Sequence, residues 1–85
     1  MNNRSRLLWR CRRGTKEMDF LFQTFLEQEY DSLATEQQVL FEQFLEETDP
    51  DIYSWITGTN SPDNHSYLPL IQRLQNIRGS MFGNS

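Results

Sequence analysis

The sequence predicts an all-α fold, a compact bundle of about five short helices. Three observations carry that prediction. Apolar residues recur at spacings of three and four in separate segments, the period of a half-buried helix. No stretch keeps the strict alternation of a half-buried strand for more than a few residues. Gly, Pro and small polar residues fall between the apolar segments, where helices start and stop. With 85 residues and no internal repeat, the chain has room for one domain and one modest core.

The first helix is expected over Ser5–Arg13, with Leu7, Leu8 and Cys11 able to share a face. Arg10, Arg12 and Arg13 fall in its last turns, where cations suit the negative end of the helix dipole. Gly14 is a natural stop. The second helix opens at Thr15, a good N-cap, with Glu17 and Asp19 in its first turn. Met18, Leu21, Phe22, Phe25 and Leu26 then form one apolar stripe, and the helix is expected to reach about Tyr30.

Residues 31–34 read as a link. Thr35 and Gln38 match a capping box for the third helix, whose stripe is Leu40, Phe41, Phe44 and Leu45. Glu42, Glu46 and Glu47 are expected to face water. Asp49-Pro50 reads as the cap and first residue of a fourth helix with Ile52, Trp55 and Ile56 on its apolar side, ended by Gly58. Thr59–Ser66 is a polar loop. A fifth helix starts near Ser66, carries Leu70, Ile71, Leu74 and Ile77, and stops at Gly79. Residues 1–79 thus form one helical domain and residues 80–85 a disordered tail. The expected core is Leu21, Phe22, Phe25, Leu26, Leu40, Phe41, Phe44, Trp55, Ile56, Leu70, Ile71 and Leu74.

Composition narrows the function. One cysteine, Cys11, allows no internal disulfide, which fits a reducing compartment. One Cys and one His, His65, do not make a usual zinc site. No apolar run approaches the roughly 20 residues of a membrane span. The Arg-rich start raises the question of an organelle presequence, but patterned sequence begins almost at Met1.

The net charge of −4 hides an asymmetry. Residues 1–16 hold six of the eight basic residues (Arg4, Arg6, Arg10, Arg12, Arg13 and Lys16) and no acid. Residues 17–72 hold all twelve acids and no Lys or Arg. Such a basic head is either a contact surface or the internal partner of the acidic body.

The usual catalytic arrangements are missing. The four glycines are scattered and form no phosphate loop. Cys11, beside several arginines, reads either as a reactive thiol or as a small buried helix residue. His65 sits in a polar stretch and reads as a surface residue. The acids Glu46, Glu47, Asp49 and Asp51 lack the spacing of a calcium loop. Trp9 does not join the face of Leu7, Leu8 and Cys11, so it is either a binding anchor or packs on the second helix. The head with its Trp also resembles a phosphate-contacting patch, although the acidic body would repel a polyanion. A nucleic-acid-linked small regulator acting through this basic head is therefore the alternative function.

Arg12-Arg13-Gly14-Thr15-Lys16-Glu17 contains R-G-x-x-E. It follows Trp9-Arg10-Cys11 and precedes a helix ending in Glu29-Tyr30-Asp31-Ser32-Leu33, with Asp49-Pro50-Asp51-Ile52-Tyr53-Ser54-Trp55 further on. This order resembles the SdhE family, the flavinylation factors also called succinate dehydrogenase assembly factor 2 or Sdh5, over roughly residues 4–78. The resemblance implies a small helical bundle that is not an enzyme. It implies binding to the flavoprotein subunit of succinate dehydrogenase, and in bacteria of fumarate reductase, and promotion of covalent FAD attachment to a histidine of that subunit. It implies no permanently bound cofactor, since the FAD is held by the client; no membrane insertion is expected from the lack of a long apolar run, and no nucleic-acid partner from the acidic body.

A monomer in the bacterial cytoplasm is expected, because the short N-terminus resembles bacterial members. Some members have carried an antitoxin label, so the resemblance adds a toxin–antitoxin-type regulator to the alternative function; nothing in these residues supports or excludes it.

The motif residues carried over are Arg13, Gly14 and Glu17, with Arg6, Trp9 and Arg10 extending the partner-binding patch. Gly14 lets a partner's backbone approach closely. Arg13 offers a planar fork of donors. Glu17 orients Arg13 or meets a basic group of the partner. From the residues alone, these three also serve simply to build the turn between two helices; the resemblance favours the interface.

Overall fold

A computed structural model describes residues 3–82, with side chains described for residues 5–80. Among the described residues there are five α-helices and no strand: α1 Asn3–Arg10, α2 Lys16–Gln28, α3 Thr35–Phe44, α4 Asp49–Thr57 and α5 Leu68–Phe82. Two short 3₁₀ turns, Tyr30–Ser32 and His65–Tyr67, lead out of α2 and into α5. The radius of gyration, 12.2 Å, matches the roughly 12 Å expected of a compact chain of this length.

α2 forms the centre. Met18, Leu21, Phe22, Phe25 and Leu26 are all buried, as their spacing predicts. α5 packs on α2 and α4 and buries Leu70, Ile71, Leu74 and Ile77. The core is largely aromatic. Phe41 lies between Phe25 at 4.8 Å and Tyr30 at 5.8 Å. Phe44 meets Tyr67 edge-on at 5.0 Å. Offset and edge contacts of this kind stabilise beyond the area they bury.

Two expected core residues, Leu40 and Trp55, are only partly buried. Leu7, Cys11, Met18, Tyr30, Leu45, Ile52, Tyr67 and Ile77 join the core instead. The tyrosines are buried because their hydroxyls find acceptors: Tyr30 donates to Glu42 at 3.2 Å and Tyr67 to Glu47 at 3.1 Å. Of the three glutamates expected to face water, these two are thus half-buried, and only Glu46 is exposed.

Several boundaries move, each for a local reason. α1 ends at Arg10 and not at Arg13. Asp19 accepts from the Arg13 amide and pulls that residue out of the helix. α2 stops at Gln28, and Tyr30 enters a tight turn closed by Ser32, whose hydroxyl donates to the Glu29 carbonyl at 2.9 Å. The capping box at Thr35 and Gln38 does not form. Ala34 is the N-cap, and Gln38 instead donates to the Tyr30 carbonyl at 2.9 Å. Thr48, not Asp49, caps α4, accepting from the Asp51 amide at 3.3 Å.

Gly58 ends α4 as expected, at φ +84°. α5 begins at Leu68, after the His65–Tyr67 turn, and runs through Gly79 to Phe82. Glycine's lower helix propensity, about 1 kcal/mol, does not by itself end a packed helix. Residues 80–82, expected in a tail, are therefore helical, while residues 1–2 and 83–85 lie outside the described part.

Candidate functional site

The R-G-x-x-E segment makes the turn between α1 and α2. Gly14 adopts φ +100°, a conformation that side-chain-bearing residues rarely take, and an added Cβ would meet nothing within 4 Å. Backbone geometry, not crowding, therefore demands glycine here. Asp19, one turn into α2, fixes the turn from below. One carboxylate oxygen accepts from the Arg13 amide and, at 3.2 Å, from the Gly14 amide. Thr15 caps α2, its hydroxyl accepting from the Met18 amide at 3.3 Å. The result is an exposed, pinned backbone loop.

Arg13 does not face outward. Its side chain is 12% exposed and its fork closes on this chain. Nε donates to Asp49 at 2.7 Å, Nη1 to the Leu45 carbonyl at 2.8 Å and the Arg10 carbonyl at 3.2 Å, and Nη2 to the Glu47 carbonyl at 2.8 Å. The guanidinium also lies 5.9 Å from the Phe22 ring centre. It serves carbonyls of the C-cap residue Leu45 and of Glu47 in the turn between α3 and α4. Of the two readings of Arg13, a fork offered to a partner or a cation that helps build the turn between two helices, these contacts match the second.

Glu17 lies on the first turn of α2 and pairs with Arg78 of α5, whose guanidinium also stands 5.8 Å from the Tyr53 ring of α4. It therefore orients Arg78, not Arg13. Thr15, Glu17, Met18, Asp49, Pro50 and Tyr53 line a shallow groove of about 390 Å³ between the starts of α2 and α4. Its two acids each hold a cation of this chain, Glu17 through Arg78 and Asp49 through Arg13.

The basic head divides in two. Arg10 and Arg13 turn inward, Arg10 donating to Glu46 at 2.7 Å and to the Glu42 carbonyl at 2.8 Å. Arg6, Arg12 and Lys16 are exposed and make no ion pair among the described residues. Trp9 is 72% exposed, with Arg12 at 5.8 Å from its ring, so it does not pack on α2. Phe20, also exposed, follows Lys16 by one turn of α2.

Cys11 is fully buried, with Sγ 3.9 Å from the Phe22 carbonyl. Burial pushes its thiol up to about 11 despite the opposing pull of Arg13 and Arg10. It is a core residue and not a reactive thiol. His65 is exposed in the turn before α5.

A family model described as flavinator of succinate dehydrogenase, Sdh5, matches residues 5–78. The chain belongs to the Sdh5 family. It is 34% identical over 76 residues to the FAD assembly factor SdhE of Photorhabdus laumondii, covering 89% of this chain and 86% of that one. To the protein of the same name from Legionella pneumophila it is 40% identical over 78 residues, 89% of this chain and 98% of the other. The Coxiella burnetii FAD assembly factor SdhE is 32% identical over 72 residues, covering 85% and 88%.

For an Sdh5-family chain, the structure adds three residues that sequence reasoning did not single out: Asp19, Asp49 and Arg78. Asp19 and Asp49 were read as helix-start acids, which conceals their contacts with the Gly14 turn and Arg13. Arg78 carried a usable signal. It is one of two cations outside the head, in a chain whose acids outnumber its bases. Among the described residues, no helix is long and apolar enough to cross a membrane.

Proposed function

We propose that this chain is an FAD assembly factor that docks on the flavoprotein subunit of succinate dehydrogenase and promotes covalent attachment of FAD to that subunit. The carrying observation is the Gly14 turn: exposed backbone at φ +100°, pinned by Asp19 and flanked by Glu17. Such a surface lets a partner's backbone approach closely with little ordering cost on binding. Trp9, Arg6 and Arg12 extend it as an aromatic and cationic rim, the residue types enriched at binding hot spots. Arg10 and Arg13 support the surface from beneath.

The factor acts by holding the client's histidine and flavin in register, and alignment of this kind lowers a barrier by several kcal/mol. It supplies no catalytic group. The thiol of Cys11 is buried and protonated near neutral pH, and Glu17 is held by Arg78. FAD stays with the client throughout, and this chain keeps no cofactor of its own. The flavoprotein subunit of fumarate reductase is a second client. The free factor is a monomer of the bacterial cytoplasm. The rival, a nucleic-acid-linked or toxin–antitoxin regulator, draws on the same basic head. That reading is weakened because Arg10 and Arg13 are committed to Glu46 and Asp49.

The test is reconstitution. The purified, unflavinylated client subunit is incubated with FAD, with and without this chain, and covalent flavin is read by in-gel fluorescence after denaturation. The proposal expects a faster rise in covalent flavin when the chain is present. Equal rates with and without it would contradict the proposal.

A further inference from the structure

The Glu17 carboxylate is the acid of the R-G-x-x-E segment, yet a side chain from the far end of the sequence holds it. Arg78 sits near the C-terminal end of α5, 61 positions along the chain from its partner. Its guanidinium gathers three elements: Glu17 on α2, Tyr53 on α4 and its own helix. Glu17 and Tyr53 line the groove beside the Gly14 turn, so Arg78 stands where the groove wall is built. Both members of the pair are about one-third exposed, with side-chain values of 33% and 32%. An ion pair exposed to this degree contributes little to folding. Its effect lies in geometry, because a carboxylate on an unpaired glutamate samples several rotamers, whereas a paired one is restricted before a partner arrives.

We propose that Arg78 is a positioning residue of the docking site, holding the Glu17 carboxylate and the Tyr53 ring in the orientation that the flavoprotein client reads. This rests on the docking role given above to the Gly14–Glu17 segment. It also fixes what the client presents there. Glu17 is neutralised by Arg78 and Asp49 by Arg13, so the groove carries no unpaired charge. It suits an uncharged side chain of the client, packed against Met18, Pro50 and Tyr53, better than a lysine or arginine.

The experiment is a double-mutant cycle on the full chain. Affinity for the purified client subunit is measured by calorimetry for wild type, Glu17→Gln, Arg78→Ala, the double variant and Arg78→Lys. Melting temperature and the flavinylation rate at saturating factor are recorded beside each. Expected is a rise in Kd of about tenfold for each single variant, roughly the effect of one well-made contact. The double variant should be no weaker than either single one. Arg78→Lys, which keeps the charge, should recover most of the affinity. Melting temperature and the saturating rate should stay at wild-type values, which a merely structural role for Arg78 does not predict, since loss of folding would lower the melting temperature first.

Additive effects in the double variant, or wild-type affinity in Arg78→Ala alongside a weakened Glu17→Gln, would overturn the proposal while leaving the docking reading intact. Failure of the wild-type chain to bind the client would remove both.

Discussion

Replacing Arg13 with Ala removes a side chain that bridges three parts of the fold. Two short bonds to the Leu45 and Glu47 carbonyls, both 2.8 Å, serve acceptors in the turn that follows α3. Each is worth about 1 kcal/mol net, somewhat more with a charged donor. The ion pair to Asp49, whose side chain is 41% exposed, adds at most about 1 kcal/mol after solvent screening. Contact with the Phe22 ring contributes about 0.5–1 kcal/mol. Water will reach part of the vacated site, so the sum is an upper range. The expected loss is about 2–4 kcal/mol, or roughly 10–30 °C in Tm for a domain of this size.

Arg13→Lys should recover only a fraction, because an ammonium cannot serve Asp49 and two carbonyls in one plane. Urea unfolding followed by far-UV circular dichroism measures this. A loss below about 1 kcal/mol for Arg13→Ala would show that these contacts do not brace the fold. It would return the Arg13 fork to the partner, as the family resemblance implies.

Three further outcomes are expected. Phe25→Ala or Phe44→Ala, each emptying a fully buried aromatic site, should cost roughly 3–5 kcal/mol in the same unfolding assay. Trp9→Ala should leave stability within about 0.5 kcal/mol, since the ring is mostly exposed, while weakening client binding measured by calorimetry. Cys11 gives a pH dependence. Its folded thiol titrates at about 11, against 9.0 ordinarily, so the unfolded chain loses the proton first. Its stabilising contribution is complete below pH 9 and disappears as pH rises through about 11, a loss of roughly 2–3 kcal/mol. Melting curves from pH 8 to 11 should fall more steeply for wild type than for Cys11→Ala; parallel curves would contradict the assignment.

The helices were legible because their stripes are long and regular. Met18 to Leu26 on α2 and Leu70 to Ile77 on α5 are all buried at the predicted spacing. The Gly14 turn was also legible, since a glycine between two amphipathic segments has few other uses. What escaped was long-range polar pairing. Tyr30 and Tyr67 are buried with their hydroxyls donated to Glu42 and Glu47, and no local pattern announces such partners. The one-residue shift of the α4 cap from Asp49 to Thr48 has the same character. It frees Asp49 for Arg13, 36 positions away in sequence. Arg13 of the motif braces the fold, and Arg78, outside the motif, holds the motif glutamate.

On the proposed function, this chain promotes flavin attachment by docking through the Gly14 turn and contributes no reacting group. The most direct measurement is the fraction of client subunit carrying covalent FAD in cells expressing wild type, Gly14→Arg or Glu17→Gln at equal level. Gly14→Arg forces a side chain into φ +100° on the exposed loop, at a cost of about 1–3 kcal/mol in backbone strain. It also props the docked surfaces apart. It should nearly abolish attachment while the variant remains folded, and Glu17→Gln should reduce attachment only as far as it weakens binding. Loss of attachment in Glu17→Gln with client affinity unchanged would contradict the account, because the carboxylate would then belong to the chemistry.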